Sequence, residues 1–260
     1  AFRYYLNKEP WDRIINERND RKWERVNFDY KREYTHPERF CRALFTDESF
    51  WNDEDFRPRS FMRSVFYIVT NMQSHGCGED MWNLFTKEEC YDLWRAWNID
   101  WYLGYGPAPQ TGSIMQFSQA NLLRNIIETT DTVMASKTYK NGAALRFGHE
   151  VCVMPLACLM ELDSCGRAVG DLDHLEDQWV NFRIYPMACN IQLVFYRPKK
   201  GDGPILMKAL LNEKETTIAN LPTDQYPYYR WDDFKAYFTK KLNDFKTQYP
   251  IERYQPQRRR

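Results

Sequence analysis

The spacing of apolar residues changes near residue 140, and that change limits the folds open to the chain. Before it, apolar side chains recur every three or four positions, the period of amphipathic helices. Residues 61–73, FMRSVFYIVTNMQ, set Phe61, Val65, Ile68 or Val69, and Met72 on one face, and the run stops before His75-Gly76. Thr86 with Glu89 three residues later makes a capping box, followed by Cys90, Leu93, Trp94 and Trp97 on one side of a second helix. Residues 104–113, GYGPAPQTGS, predict a loop. A third helix is predicted from about Ser118 to Met134, with Leu122, Leu123, Ile126, Ile127, Val133 and Met134 inward. The charged and aromatic opening sixty residues predict short helices joined by loops such as NDEDFRPRS.

After residue 140 strands are expected. VNFRIYP alternates Val180, Phe182 and Ile184 with polar positions, as a half-buried strand does. NIQLVFYRP and PILMKALLNEKE predict an antiparallel hairpin around KKGDG, with Gly201 and Gly203 in the turn. Trp231, Phe234, Phe238, Leu242 and Phe245 form one stripe of a final helix, Trp231 to Gln248, that ends before Pro250 and lies on the sheet. Arg258 to Arg260 read as a solvated tail. The fold class is therefore α/β, with a helical domain over residues 1–140 and a sheet-bearing part over 141–260.

Charge and cysteine content narrow the function classes. Thirty-six basic and thirty-six acidic residues cancel, so no global field draws nucleic acid or an anionic membrane. No run reaches the ~18 apolar residues of a membrane span. Seven Cys form no CxxC pair, and their odd number leaves at least one outside any intramolecular disulfide. His75-Gly76-Cys77 has the residue types of half a metal site, but no second pair matches it, so a loop after a helix is the preferred reading. The acidic loop GDLDHLEDQW around His174 lacks the Gly and terminal Glu of a calcium-binding loop and is expected to be solvated. Trp94, Trp97 and Trp101 read as helical-domain core.

Residues 145–162, LRFGHEVCVMPLACLMEL, carry the one constellation with chemistry in it. ALRF predicts a short buried strand, and Gly148 a tight turn out of it. Pro155 lacks a backbone donor, which predicts an irregular first turn over residues 149–153 and a regular helix from about Met154. His149 and Glu150 would then stand at a strand end, beside free amides and the positive end of a helix dipole, a place suited to an anion. On spacing alone, a helix cap and a surface acid is the commoner meaning of such a pair. Arg146 is read as a structural salt bridge in preference to a phosphate contact.

LRFGHEVCVMPLACLMEL resembles the second signature block of the histidine acid phosphatases, in the branch of phytases and multiple inositol polyphosphate phosphatases. LFTKEECYDLWRAWNIDWYLGYG and MQFSQANLLRNIIETTD are similar to the helical domain of bacterial members, and YPMACNIQLVFYRP to the strands after the block. The resemblance implies the later part of a mixed-sheet α/β histidine-phosphatase domain beside a helical cap. It implies hydrolysis of phosphomonoesters, inositol polyphosphates among them, through a phosphohistidine intermediate, with no cofactor and no metal. His149 would hold phosphoryl oxygens, Glu150 would protonate the leaving group, and Arg146 is a lesser candidate for substrate contact. A periplasmic or secreted location is implied in the same way. No feature of the sequence sets an oligomeric state.

Two departures shape the expectation. The phosphatases carry Asp directly after this His and the inositol polyphosphate branch His-Ala-Glu, whereas here Glu150 follows His149 directly. The family's first block, Arg-His-Gly-x-Arg-x-Pro, supplies the nucleophile and does not occur in these 260 residues. The chain also opens on AFRYYLNKEPW, with neither Met nor the features of a signal peptide. The expectation is a chain that continues upstream and supplies half of an active site. The rival is a non-catalytic remnant that binds a phosphorylated ligand or serves a structural role.

Overall fold

Helices stand where the three-to-four spacing predicts them. The computed structural model describes residues 22–51, 53–78, 80–136, 142–199 and 203–249; Gly201 and Arg258 to Arg260 lie outside these. Two compact units divide the described residues, one of Glu24–Asp100 and one whose body is 101–249.

In the first unit, α1 (Lys22–Glu33), α2 (Glu38–Leu44) and α3 (Glu48–Trp51) are the short helices expected of the opening region. Helix α4 (Pro58–Met72) starts at a proline, whose missing donor costs nothing at a first helical position. After Met72 the chain tightens into a 3-10 turn and stops at Gly76, which is left-handed at φ 65°. Met62, Phe66 and Val69 face the core, while Phe61, Val65 and Met72 pack against it. Val69 takes the inward place and leaves Ile68 exposed. The capping box forms as read: the Thr86 amide donates to Glu89 at 2.9 Å and the Glu89 amide to the Thr86 hydroxyl at 3.1 Å, opening α5 (Lys87–Tyr105). Phe40 stacks on Phe85 at 4.9 Å and Phe85 meets Phe66 edge-on at 5.7 Å, so the core is ring-rich.

The second unit contains α6 (Ala120–Ala135), α7 (Glu150–Leu159), α8 (Asn181–Ile184), α9 (Trp231–Gln248) and a four-stranded sheet. Strand β1 (Ile191–Tyr196) pairs antiparallel with β2 (Leu206–Leu211), Ile191 opposite Leu211 and Tyr196 opposite Leu206. That is the predicted hairpin. The run PILMKALLNEKE holds a second turn, because Asn212 and Glu213 both take positive φ, 50° and 67°, and send the chain back as β3 (Lys214–Thr216). Strand β4 (Tyr229–Arg230) pairs with β2 and leads into α9. All five predicted stripe residues of α9 are buried. Its Trp231 meets Phe195 of β1 edge-on at 5.3 Å and donates to Asp131 of α6 at 3.0 Å. The fold is α/β, as expected.

Two predicted strands are not strands. VNFRIYP contains the helical turn α8, with Asn181 and Ile184 buried and Phe182 exposed. The burial repeats every three residues, and the Asn181 side chain accepts from the Phe182 amide at 2.7 Å, a local bond that competes with a ladder. The ALRF segment is not a buried strand either. Residues 142–148 are irregular and exposed, and among the described residues no neighbour pairs with them. A strand needs a partner for its donors and acceptors, and here none is supplied.

Buried protons give this unit a marked alkaline limit. The Tyr102 hydroxyl donates to the Arg167 carbonyl at 3.0 Å and accepts from the Val169 amide, and burial pushes it up to about 12. Burial drives the Cys165 thiol to about 12 and the Cys158 thiol well above its ordinary range, and Tyr237 is also pushed up to about 12. Each group keeps its proton in the folded state to a higher pH than in the unfolded chain. The stability this contributes is complete below the ordinary values of 9.0 for a thiol and 10.0 for a phenol, and is lost as pH rises through about 12. Lys241, held below its ordinary 10.5 by burial, acts in the opposite sense up to that value. The raised groups outnumber Lys241, so the urea midpoint is expected to fall steadily from about pH 9 towards pH 12. A midpoint that stays level over that span would contradict these assignments.

Candidate active site

Helix α7 begins one residue after His149, which caps it in an extended conformation, φ −105° and ψ 168°. The His149 carbonyl accepts from the amides of Cys152 at 2.9 Å and Val153 at 3.3 Å. The amides of Glu150 and Val151 have no backbone acceptor among the described residues. No side chain caps this end, the His149 imidazole is exposed and Glu150 is half-buried. Two open N–H groups, an imidazole and a carboxyl group thus share the positive end of a helix dipole. A phosphoryl group there could take hydrogen bonds from the amides and the imidazole while the carboxyl handles a proton.

The helix begins four residues before the expected Met154, and Pro155 lies inside it. A residue with an N–H at 155 would donate to the Val151 carbonyl, so the proline leaves that carbonyl open. The Gln119 side-chain amide faces it at 3.5 Å, from a side chain only 1% exposed. Gln119 belongs to a 3-10 segment, Met115–Gln119, that packs along α7. A second polar group therefore covers the gap that Pro155 makes, and the helix continues through it. Gly148 does not take a positive φ, and a side chain there would meet Cys152 only at 3.6 Å, an ordinary contact. The tight turn expected at Gly148 is absent.

Arg146 donates to the Asn125 side-chain amide oxygen at 3.0 Å and to the Thr129 hydroxyl at 3.2 Å, both on α6. These partners are neutral, so the contact is a hydrogen-bonded clasp and not the salt bridge expected. His174 is exposed and paired with Asp171 at 2.8 Å; that carboxylate holds the imidazole above its usual range. Cys77, beside His75 and Gly76, is exposed in a loop.

Sequence reasoning missed Gln119 and Cys189. Burial, and then the Glu150 carboxylate, push the Cys189 thiol up. No sequence signal points to Cys189. Gln119 had one, since a proline inside an apolar helix leaves a carbonyl that needs a donor. The Gln116 and Gln119 side-chain oxygens and the Ser118 hydroxyl are buried without hydrogen-bond partners among the described residues. The segment beneath α7 is therefore polar where a plain core contact would be apolar.

No family model and no curated protein matches the sequence. Solved structures do match. A Bifidobacterium longum multiple inositol polyphosphate phosphatase in complex with inositol hexasulfate aligns over 91% of this chain at 18% identity, with a TM-score of 0.61. The same enzyme in complex with phosphate aligns over 92% at 19% identity, with a TM-score of 0.62. This chain spans 56% and 58% of those two chains, little more than half their length. Over nine-tenths of its own length, the chain shares the fold of a multiple inositol polyphosphate phosphatase.

Proposed function

We propose that this chain is the later part of a histidine phosphatase that hydrolyses phosphomonoesters, with inositol polyphosphates such as phytate as the substrate class. The observation that carries the reading is the open N-terminus of α7 with His149 and Glu150 on it, within a fold shared with an inositol polyphosphate phosphatase. In this reading residues 1–140 are the helical cap, and 141–260 the later α/β part. A periplasmic or secreted location and a bacterial source belong to the same proposal.

The chemistry divides between a part within these residues and a part beyond them. A histidine supplied by further chain attacks phosphorus, and a phosphohistidine forms as the ester oxygen leaves. His149 and the amides of Glu150 and Val151 hold the phosphoryl oxygens, where negative charge shifts during transfer. Glu150 gives its proton to the departing alkoxide, an effect worth roughly 10²–10⁴-fold. The resulting carboxylate then takes a proton from the water that cleaves phosphohistidine, which returns the site to its starting state.

The complete reading frame tests this directly. Its product is expected to release phosphate from phytate, while the 260-residue chain alone turns over neither phytate nor an aryl phosphate. Steady release by the isolated chain, tracking the protein through purification, would place the nucleophile inside these residues. A complete protein that binds phosphate without turnover, from a reading frame with no Arg-His-Gly upstream of Ala1, would favour a non-catalytic remnant.

A further inference from the structure

We propose that Gln119 is a positioning residue for the reaction: its side-chain amide fixes the first turn of α7, and through that turn the open amides of Glu150 and Val151 and the Glu150 carboxyl. This rests on the reading above of His149 and Glu150 as the phosphoryl site. The body of α7 needs no such help, because Cys152 and every residue from Met154 to Leu159 are buried in the core. The first turn is the loose part. It is partly exposed, and Pro155 withholds the bond that would tie the Val151 carbonyl to the next turn. Holding that carbonyl holds the residue whose amide is one of the two open donors.

The placement of Gln119 suits this task. It stands at the N-cap position of α6, where a side chain ordinarily serves its own helix, yet it makes no capping bond there. Its amide instead meets the Val151 carbonyl at 3.5 Å. That is the long end of hydrogen bonding, which leaves the first turn room to tighten when a phosphoryl group takes up the open amides. The neighbouring Gln116 amide is engaged elsewhere, donating to the Ser113 carbonyl at 2.9 Å, so of the two glutamines Gln119 is the one that reaches α7. Only one orientation of the Gln119 carboxamide makes this contact, and it leaves the side-chain oxygen buried with no partner among the described residues. An orphaned acceptor costs stability. Methionine would fill the same space without that cost; the amide is what holding a carbonyl requires.

The test uses the protein made from the complete reading frame. Gln119→Met matches the length of Gln and removes the donor together with the orphaned acceptor, so the melting temperature is expected to stay near that of the parent. Single-turnover phosphorylation by an inositol phosphate is expected to slow roughly tenfold or more. The number of sites that bind inorganic phosphate, counted by calorimetry, should not change. A merely structural role would lower the melting temperature or the number of sites and leave the rate per site alone. Adding Pro155→Ala gives residue 155 an N–H that can donate to the Val151 carbonyl from within α7, so the double variant is expected to recover most of the lost rate. An unchanged rate per site in Gln119→Met overturns the proposal, as does a loss that Pro155→Ala fails to relieve. The two readings fail separately: a complete parent that releases no phosphate removes the proposed function and this role with it, whereas an active parent insensitive to Gln119→Met removes this role alone.

Discussion

Glu150→Gln in the complete protein is expected to slow the phosphorylation step with an inositol phosphate by roughly 10²-fold or more. Gln keeps the size and most of the hydrogen bonding of Glu but has no proton to transfer. An alkyl phosphate has a poor leaving group, so its bond to phosphorus breaks slowly unless the oxygen is protonated. An aryl phosphate leaves as a phenolate that needs little help, and its phosphorylation step should change far less. Single-turnover or burst rates are the right measurement, because Glu150 also serves the hydrolysis of phosphohistidine and steady-state rates mix the two steps. His149→Ala supplies the contrast. A contact to phosphoryl oxygens is indifferent to the leaving group, so both esters should slow by similar factors. Equal losses for the two esters in the Glu150→Gln protein would move the proton donor to another carboxylate.

Of the candidate site, the sequence makes legible the adjacent pair His149 and Glu150 and a helix after it, but that helix starts at Glu150, four residues before the expected Met154. The capping box of Thr86 and Glu89 and the five-residue stripe of α9 were legible because one period or one spacing decides them. Errors arose where a distant group took over. Pro155 by itself favours a regular helix that begins near Met154, but the Gln119 amide, thirty-two residues from Val151, faces the carbonyl that the proline leaves open, and the helix runs from Glu150. ALRF has the composition of a strand, yet a strand exists only with a neighbour, and the described residues offer none. VNFRIYP alternates in hydropathy, but the polar Asn181 is the buried residue and Phe182 the exposed one, which no hydropathy pattern predicts.

A carboxylate beyond the far end of α7 has the largest expected effect on stability, and nothing in the sequence marks it. Glu161 lies two residues past Leu159, with a left-handed backbone at φ 54°, and is buried. Its oxygens accept from Lys241 at 2.6 Å, from Tyr237 at 3.0 and 3.1 Å, and from Asn220 at 2.8 Å, while its carbonyl accepts from the Ala219 amide. One side chain thus ties the end of α7 to α9 and to the strand-following segment near residue 219. Burial outweighs the attraction of this carboxylate and holds Lys241 below its ordinary range. The ammonium is therefore costly to keep in place even with its partner, and more so without it. Glu161→Gln is expected to lower the unfolding free energy by about 3–5 kcal/mol, the range for breaking one side of a buried pair. Removing both charges should cost much less, because the desolvation of each ion disappears with its attraction. Glu161→Gln with Lys241→Met is thus expected to recover more than half of the loss in urea denaturation. A single variant within about 1 kcal/mol of the parent, as a surface ion pair would give, would show that water reaches Lys241 and that the pair does not hold these elements together.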